Sequence, residues 1–337
     1  ILAMVSKPGF DPNLFVEGIS SADYDALQNS DEKPLFNRAI RGQYPPGSAI
    51  KPFIGLGGLE NGIMTAEQKT YCPGFFQLPN HSHKYRDWKK SGHGPVDLYQ
   101  AIAQSCDVYY YDLAQQMGID KLAEYLAHFG FGQKTGVDIT GELGGLLPSR
   151  EWKRNSKNQP WYPGETLITG IGQGYFLTTP LQLASATATL ANRGARLQPR
   201  IVKAIRHSGE PDLREQPIVQ QQQISRQSDA HWDSIVEAMI EVIEGVRGTA
   251  RLIRNTDYRI AGKTGTAQVF TIKQEEKYDE EKVEKKMRDH ALFIAFAPAK
   301  APRIAVAVIV ENGGHGGSVA APIAKSIMDH YLLQASR

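Results

Sequence analysis

The spacing of apolar positions predicts several helices, and capping residues mark where two of them begin. Thr179 is a good N-cap with Pro180 at the first helical position, and Ser228 caps a later helix. The first predicted helix contains several glycines, so it should owe its stability to burial and to closely packed neighbours. The expected helices cover Gly47–Gly62, Asp97–Met117 with a break near Ser105, Ile119–Phe129, Thr179–Asn192 and Ser228–Ile243.

Strand patterns lie near both ends of the chain. Ile1–Val5 predicts a short strand, and a turn-rich stretch follows it. Short loops between successive strands after residue 258 favour an antiparallel sheet with the last helix packed on it. These elements are strands over Arg259–Val269, Ala291–Ala297 and Ile304–Val310, and a helix over Val319–Leu333. Tyr71–Pro95 is expected to be irregular, and the charged Lys273–Asp289 to be a solvated excursion.

Composition is that of an ordinary globular protein. The 337 residues suggest about two domains, or one large domain with two lobes. Apolar residues make up 41% and charged residues 22%, which allows a large core and excludes a disordered or collagen-like chain. The net charge of +2 indicates no nucleic-acid partner, and no apolar run is long enough to span a membrane. Because the chain starts without Met inside a strand pattern, we expect an upstream part, including any signal or anchor, to be absent.

A serine and a lysine at the start of a predicted helix are the first sign of chemistry. Ser48 and Lys51 are three residues apart, so their side chains share one face of the helix. A serine hydroxyl becomes nucleophilic when a base removes its proton, and a lysine can do this if burial and a nearby cation lower its pKa. The helix N-terminus also offers backbone N–H groups for a developing oxyanion.

Two further motifs follow along the chain. Ser105-Cys106-Asp107 lies at the break between two predicted helices, where alone it would be an ordinary N-cap. Lys263-Thr264-Gly265-Thr266 follows an apolar stretch and predicts a strand whose cation and two hydroxyls suit a carboxylate. Two nucleotide-binding interpretations fail, because Asp257 stands where a phosphate loop needs glycine and the glycines of Gly170–Gly174 are wrongly spaced.

Together, Ser-x-x-Lys at 48–51, Ser-x-Asp at 105–107 and Lys-Thr-Gly at 263–265 form an ordered set. The set resembles the motifs of penicillin-binding proteins and serine β-lactamases. The whole chain is similar to the transpeptidase domain of class B penicillin-binding proteins. Tyr85–Trp88 and Trp161–Glu165 resemble the subgroup that serves cell elongation in rod-shaped Gram-negative bacteria. Most family members have Asn at the position of Asp107, whereas Asp occurs there in this subgroup.

The resemblance implies a mixed α/β fold of the penicillin-binding protein and serine β-lactamase type, with an antiparallel sheet flanked by helices and an all-α lobe. It implies a single transpeptidase domain over residues 1–337, in which the all-α lobe covers roughly 55–190 and the α/β lobe covers 1–54 and 191–337. An anchor and a non-catalytic pedestal would lie upstream, at the periplasmic face of the inner membrane. The three motifs should converge so that the hydroxyl of Ser48 sits between the amines of Lys51 and Lys263.

The resemblance also implies catalytic roles. Ser48 would attack the penultimate carbonyl of a stem pentapeptide that ends in D-Ala-D-Ala, and Lys51 would take the hydroxyl proton. Ser105 would relay a proton to the departing D-Ala, while Asp107 would orient the substrate amide and Lys51. Lys263 would keep the site electropositive. No cofactor would be needed for this chemistry.

Substrate-binding roles fall on the strand motif. Thr264 and Thr266 would bind the terminal carboxylate, and Gly265 would let the substrate approach the backbone. The N–H groups of Ser48 and Thr266 would form the oxyanion hole. An amine from a neighbouring stem peptide would then resolve the acyl-enzyme into a cross-link, and a β-lactam would acylate Ser48 and stay.

The two cysteines, Cys72 and Cys106, leave three interpretations open. A disulfide between them would suit an oxidising periplasm. A tetrahedral, structural Zn²⁺ site could use both cysteines with Asp87 and His93, and it resembles a zinc site carried by some elongation-type relatives. The third interpretation is two unrelated free thiols. Two nearby residues are alternative metal ligands: His81 and His83.

Other functions are compatible with the same motifs. A serine β-lactamase or a penicillin-sensing domain shares the acylation step, and a carboxypeptidase would release D-Ala to water. A silent scaffold would only bind morphogenesis partners, but Ser48, Lys51 and Lys263 are all present. No Glu-x-x-Leu-Asn stretch that could activate water occurs in the middle third. Expected partners are stem peptides, β-lactams, a SEDS-type glycosyltransferase and other elongation-complex proteins.

Overall fold

The computed structural model describes residues 1–209, 212–255, 257–268 and 287–334. Its α-helices in these ranges are α1 (Ser21–Gln28), α2 (Arg38–Arg41), α3 (Lys51–Glu60), α4 (Leu98–Ala103), α5 (Asp107–His128), α6 (Arg150–Lys157), α7 (Pro163–Gly170), α8 (Pro180–Ala191), α9 (Asp229–Glu244) and α10 (Ala320–Asp329). Shorter helical turns of the 3-10 type cover Pro12–Phe15, Gly47–Ile50 and Arg251–Ile253, and a π-helical turn, His330–Gln334, follows α10.

The strands in the same ranges are β1 (Thr70–Cys72), β2 (Phe75–Gln77), β3 (Lys84–Arg86), β4 (Gly94–Val96), β5 (Ala195–Leu197), β6 (Ala204–Ile205), β7 (Arg214–Glu215), β8 (Gln220–Gln223), β9 (Ala261–Ala267), β10 (His290–Ala297) and β11 (Ile304–Val310). The last three form an antiparallel sheet in the order β11-β10-β9. The others form two-stranded ladders: β1 with β4, β2 with β3, β5 with β8 and β6 with β7.

Helices cover the three-stranded sheet. α8 and α10 pack against β10 and β11, while α9 packs against β9 and α4. α5 packs against α3 and α7, and β1–β3 also contact it. One hydrophobic core takes side chains from the sheet and from these helices. The expected mixed α/β fold, with helices around an antiparallel sheet, is therefore confirmed.

α3 carries the first motif and is buried over nearly its whole length. Its glycines are contact points with α5. A Cβ built on Gly57 would lie 2.7 Å from the ring of Tyr125, and one on Gly58 would lie 2.8 Å from Leu113. Because these positions lack side chains, α5 packs directly on the backbone of α3, as the glycine-rich sequence predicted.

The predicted helix starts at positions 179 and 228 are confirmed. Thr179 accepts a hydrogen bond from the N–H of Gln182, whose side chain accepts the N–H of Thr179 in a capping box. The Ser228 side chain accepts the N–H of Ala230 at the start of α9. A capping side chain bonds to a backbone N–H of the first turn of its own helix. The local sequence therefore determines where these two helices begin.

Two expectations about strands are wrong. Ile1–Val5 is not a strand, because none of the strands described here pairs with it, and Leu2 and Val5 are exposed. Tyr71–Pro95 is not simply irregular, since it contains β2, β3 and most of β1 and β4. Strands of three residues are too short to show an alternating pattern. The charged segment Lys273–Asp289 lies outside the described residues up to position 286.

Helices and short strands are mixed between positions 55 and 190. β1–β4 lie there among α4 and α5, whereas α8 packs on the three-stranded sheet.

Across the described ranges, no helix combines the length and apolar character that crossing a membrane requires.

Candidate active site

Three stretches that are far apart in sequence meet at two buried lysines. Lys51 at the start of α3 and Lys263 in β9 are both fully buried, and Ser105 lies in the turn between α4 and α5. Ser105 Oγ is 3.3 Å from Lys51 Nζ and 3.0 Å from Lys263 Nζ. The structure thus brings the three motifs together, but the hydroxyl bonded to both amines is that of Ser105 and not, as expected, that of Ser48.

The backbone of Ser105 is in an uncommon conformation. Its φ is 60°, in the left-handed region that few residues other than glycine adopt. The carbonyl oxygen of Ser105 accepts hydrogen bonds from Lys51 Nζ at 2.9 Å and from the indole N–H of Trp88 at 3.2 Å. These bonds stabilise the turn that brings the hydroxyl between the lysines.

Ser48 lies in the 3-10 turn just before α3. Its carbonyl oxygen accepts the N–H of Lys51, and residues three apart in a 3-10 turn lie one above the other. The side chains of Ser48 and Lys51 therefore share a face. Ser48 is partly exposed, and its hydroxyl has no hydrogen-bond partner within the described part of the chain. It is free to meet a ligand.

Asp107 gives one of the two lysines a counterion. Its Oδ1 is 2.7 Å from Lys51 Nζ, and its Oδ2 accepts the backbone N–H of Trp88 at 3.2 Å. Lys51 thus has three acceptors, which are Asp107 and two oxygens of Ser105, as many as an ammonium can use. Lys263 also has three acceptors, which are Ser105 Oγ and the carbonyl and hydroxyl oxygens of Thr264, but no described carboxylate forms an ion pair with it.

Burial and like charge distinguish the two amines. Burial, and then the positive charge of Lys51, lower the pKa of Lys263 well below its ordinary value. Burial raises the pKa of Asp107, while the neighbouring Lys51 opposes that shift. Two ammonium groups around one buried hydroxyl would be costly, so the arrangement favours one positive charge on the pair. The carboxylate of Asp107, 2.7 Å from Lys51 Nζ, favours that charge on Lys51.

β9 packs its third-motif residues against the turn that carries Ser48. A Cβ built on Gly265 would lie 3.0 Å from the carbonyl oxygen of Pro46, so a side chain there would crowd the Ser48 turn. Gln173 Nε2 donates to the carbonyl oxygen of Thr266 at 3.0 Å. The hydroxyl of Thr264 on the same strand lies 2.8 Å from the hydroxyl of Thr249, which belongs to the segment after α9. These contacts join β9, the Ser48 turn and the 171–174 turn.

Three residues at this site had no assigned role in the sequence analysis: Trp88, Thr249 and Gln173. Trp88 belongs to Tyr85–Trp88, a segment that supported the family resemblance, and nothing else in the sequence pointed to this residue. Gln173 lies between two of the glycines in Gly170–Gly174, a stretch that the sequence analysis considered only as a nucleotide-binding motif and excluded. Thr249 carried no signal, because its contact with β9 comes from the segment after α9.

A second cluster surrounds Asp87, next to the turn of Ser105. Cys72, Asp87, His93 and Cys106 are all buried, and their possible ligand atoms lie within 4.8 Å of one another. Cys72 Sγ is 3.5 Å from Asp87 Oδ2 and 3.6 Å from His93 Nδ1, and Cys106 Sγ is 3.4 Å from Asp87 Oδ2. Both cysteines are free thiols in the structure. The alternative ligands, His81 and His83, are exposed and are not members of this cluster.

The donor set of this cluster fits a tetrahedral Zn²⁺ ion, which binds cysteine, histidine and carboxylate ligands. His93 directs Nδ1 towards the cluster, 3.4 Å from Asp87 Oδ1. Asp87 Oδ2 also accepts the backbone N–H groups of Asp107 and Val108 at 2.7 and 3.1 Å. The cluster is therefore attached to the start of α5, next to the turn that carries Ser105.

Sequence comparisons identify relatives over the whole chain. A family model described as the penicillin binding protein transpeptidase domain matches residues 1–329. A protein of Acinetobacter baumannii named peptidoglycan D,D-transpeptidase MrdA is 50% identical over 335 residues, which cover 99% of this chain and 49% of that protein. The chain spans about half the length of the curated relatives it matches.

Solved structures are also similar. Penicillin-binding protein 2 of Pseudomonas aeruginosa, in complex with WCK 5153, is 49% identical with a TM-score of 0.88, covering 99% of this chain and 71% of that one. Penicillin-binding protein 2 of Helicobacter pylori, in complex with MreC, is 35% identical with a TM-score of 0.83, covering 98% and 57%. The resemblance to the elongation-type subgroup is confirmed, and the chain belongs to the penicillin-binding protein transpeptidase family.

Proposed function

We propose that this chain is the catalytic domain of a peptidoglycan D,D-transpeptidase that cross-links stem peptides during cell elongation through an acyl-enzyme on Ser48. The buried Lys51–Ser105–Lys263 network beside a free serine hydroxyl carries this proposal. The names of the relatives support the substrate class. We further propose that residues 1–337 form one domain with two lobes.

In this mechanism, Lys51 takes the proton of Ser48 as the serine oxygen attacks the carbonyl of the penultimate D-Ala. Lys51 must first lose a proton, and the bridging hydroxyl provides a route. Lys51 donates a proton to Ser105 Oγ while Ser105 passes its own to Lys263, whose lowered pKa makes it a neutral acceptor. The transfer leaves Lys51 neutral and Lys263 charged, so the site stays electropositive.

The attack produces a tetrahedral intermediate with a negative oxygen. The N–H of Ser48 lies in the first turn of its 3-10 helix, where N–H groups lack intrahelical partners, and it forms the oxyanion site with the N–H of Thr266. Each donor of this kind lowers the barrier by about 3–4 kcal/mol. The hydroxyls of Thr264 and Thr266 bind the carboxylate of the terminal D-Ala, and Gly265 lets it approach the strand.

Collapse of the intermediate breaks the C–N bond to the terminal D-Ala. The proton that Lys51 received passes through Ser105 to the leaving amine, while Asp107 keeps Lys51 oriented. An amine from a second stem peptide then attacks the ester and restores Ser48. A β-lactam is opened by the same attack, but its leaving amine stays tethered to the acyl group and the enzyme remains acylated.

We also propose that Cys72, Asp87, His93 and Cys106 hold a structural Zn²⁺. Four protein ligands would make a closed site, and such an ion contributes to the folding free energy rather than to the reaction. Asp87 accepts two backbone N–H groups at the start of α5. Fixing Asp87 would therefore steady the turn that carries Ser105.

The proposed location is the periplasmic face of the inner membrane, with an anchor outside this chain. Helicobacter pylori penicillin-binding protein 2 is known in complex with MreC, and another similar structure concerns a peptidoglycan synthase complex that couples polymerization and crosslinking. We infer that this domain works with an MreC-like protein and a SEDS-type glycosyltransferase.

A donor-and-acceptor assay separates this function from its alternatives, which are a serine β-lactamase, a penicillin sensor and a carboxypeptidase. The purified chain is incubated with a D-Ala-D-Ala peptide thioester analogue and D-alanine, with Ser48→Ala as the control. A transpeptidase transfers the acyl group mainly to the amine and turns over ampicillin slowly. Hydrolysis alone would indicate a carboxypeptidase, fast ampicillin turnover a β-lactamase, and a stable adduct without any transfer a sensor.

A further inference from the structure

The polar edge of β9 at Thr266 faces the Ser48 turn. Thr266 lies opposite Ala291 in the antiparallel pair, and its carbonyl oxygen accepts the side-chain N–H of Gln173 at 3.0 Å. A Cβ built on Gly47 would lie 2.3 Å from that oxygen and 3.2 Å from the nitrogen of Thr266. The N–H and C=O of one residue in an antiparallel strand point to the same side. The N–H of Thr266 therefore points away from β10, towards the turn of Ser48.

Gln173 comes from a turn that is bonded to the nucleophile turn. The N–H of Gly47 donates to the carbonyl oxygen of Gly172 at 2.9 Å. Gly172 has a φ of 73°, and a Cβ there would lie 2.3 Å from the carbonyl oxygen of Gly47, so only glycine suits the position. The dipeptide 172–173 thus contacts the Ser48 turn through its backbone and Thr266 through the side chain of Gln173.

β9 needs such a contact because it is the outer strand of its sheet. On its outer edge none of the described strands provides ladder hydrogen bonds to hold Thr266. An oxyanion donor must lie about 2.7–3.1 Å from the developing charge. The N–H of Ser48 is fixed by α3, but the N–H of Thr266 depends on the position of this edge.

We propose that Gln173 is a positioning residue for the oxyanion site. Its amide holds the carbonyl of Thr266, and so keeps the N–H of Thr266 at a fixed distance from the N–H of Ser48. The inference rests on the proposed acylation of Ser48. Gln173 acts through Thr266, and its side chain makes no hydrogen bond to Ser48, Lys51 or Lys263.

Two substitutions test the contact. Gln173→Met keeps the length of the side chain and removes the donor, and Gln173→Glu keeps its shape but brings an oxygen to the carbonyl. Gln221→Met is the matched control, because Gln221 Nε2 donates to the carbonyl oxygen of Thr135 at 2.8 Å, outside the site. The probe is benzylpenicillin, and rapid-quench mass spectrometry separates the acylation rate constant from the dissociation constant of the first, noncovalent complex.

We expect Gln173→Met to lower the acylation rate constant about ten-fold, since misplacement of a catalytic group by 1 Å can cost about a hundred-fold. The dissociation constant should stay within about two-fold of wild type, as for loss of an interaction made in the transition state. Gln173→Glu should be at least as slow. A peptide boronic acid, whose adduct puts an oxygen at the oxyanion position, should bind more weakly by the same factor.

An unchanged acylation rate constant in Gln173→Met would overturn the inference and leave the proposed function intact. The inference would also be overturned if Gln173→Met changed the acylation rate constant, the dissociation constant and the unfolding temperature together, because that pattern indicates a general structural role. Absence of any adduct on the wild-type chain would overturn both the inference and the proposed function.

Discussion

Ser105 is the residue that connects the two buried lysines. Its hydroxyl is within hydrogen-bond distance of both amines, and its left-handed backbone is held by Lys51 and Trp88. Lys51 has a counterion in Asp107, whereas Lys263 is buried without one among the described residues. The chemistry proposed for Ser48 therefore depends on where one proton resides among these groups.

The acylation rate should consequently depend on pH through Lys263. Its pKa lies well below the ordinary lysine value because of burial and the charge of Lys51. Below that pKa both amines are protonated, Lys51 has no acceptor for its proton, and acylation slows. Above it Lys263 is neutral and the rate reaches a plateau. Stopped-flow acylation by benzylpenicillin should show a rising limb with an apparent pKa well below 10.5.

Lys263→Arg provides the matching variant, because a guanidinium stays protonated at every accessible pH. We expect its acylation rate constant to fall on the order of a hundred-fold or more, with no rising limb. A rising limb near the ordinary lysine pKa in the wild-type chain would contradict the account, as would a fast Lys263→Arg variant.

At the scale of elements, α8 packs on the sheet and begins at the N-cap Thr179 that the sequence predicted. The hydroxyl of Thr179 accepts the N–H of Gln182, whose amide also donates to the carbonyl of Gln133. Thr179→Ala should lower the free energy of unfolding by about 1 kcal/mol beyond the effect of the lost methyl group. Thr179→Ser measures that methyl effect, since it keeps the hydroxyl. Equal thermal-unfolding results for the two variants would show that the cap contributes nothing.

Sequence reasoning succeeded for elements and residues whose signals are local. Caps and spacing located α8 and α9, and the three short motifs contained every lysine and serine of the central network. The predicted strand Ile1–Val5 failed because a strand exists only where a distant partner pairs with it. The roles of Gln173 and Thr249 were not predicted for the same reason, since each residue contacts β9 from a distant part of the chain.

For the molecule as a whole, the cysteine cluster joins the region of the short strands β1–β4 to the turn that carries Ser105. Burial raises the pKa of both thiols, so zinc must displace protons and should bind more tightly as pH rises.

Native mass spectrometry should find about one zinc ion per chain. Removal of the metal by a chelator, or Cys106→Ser, should lower the unfolding temperature. A metal-free chain lighter by two hydrogens would instead indicate a disulfide between Cys72 and Cys106.

The central claim is that Ser48 is the acylated nucleophile, and intact-protein mass spectrometry with benzylpenicillin tests it most directly. The wild-type chain should gain one penicilloyl group, which peptide analysis locates on Ser48. Ser185→Ala, a partly buried serine away from the site, should be acylated equally, and Ser48→Ala should gain nothing. A penicilloyl group on Ser48→Ala, or on another residue of the wild-type chain, would contradict the account.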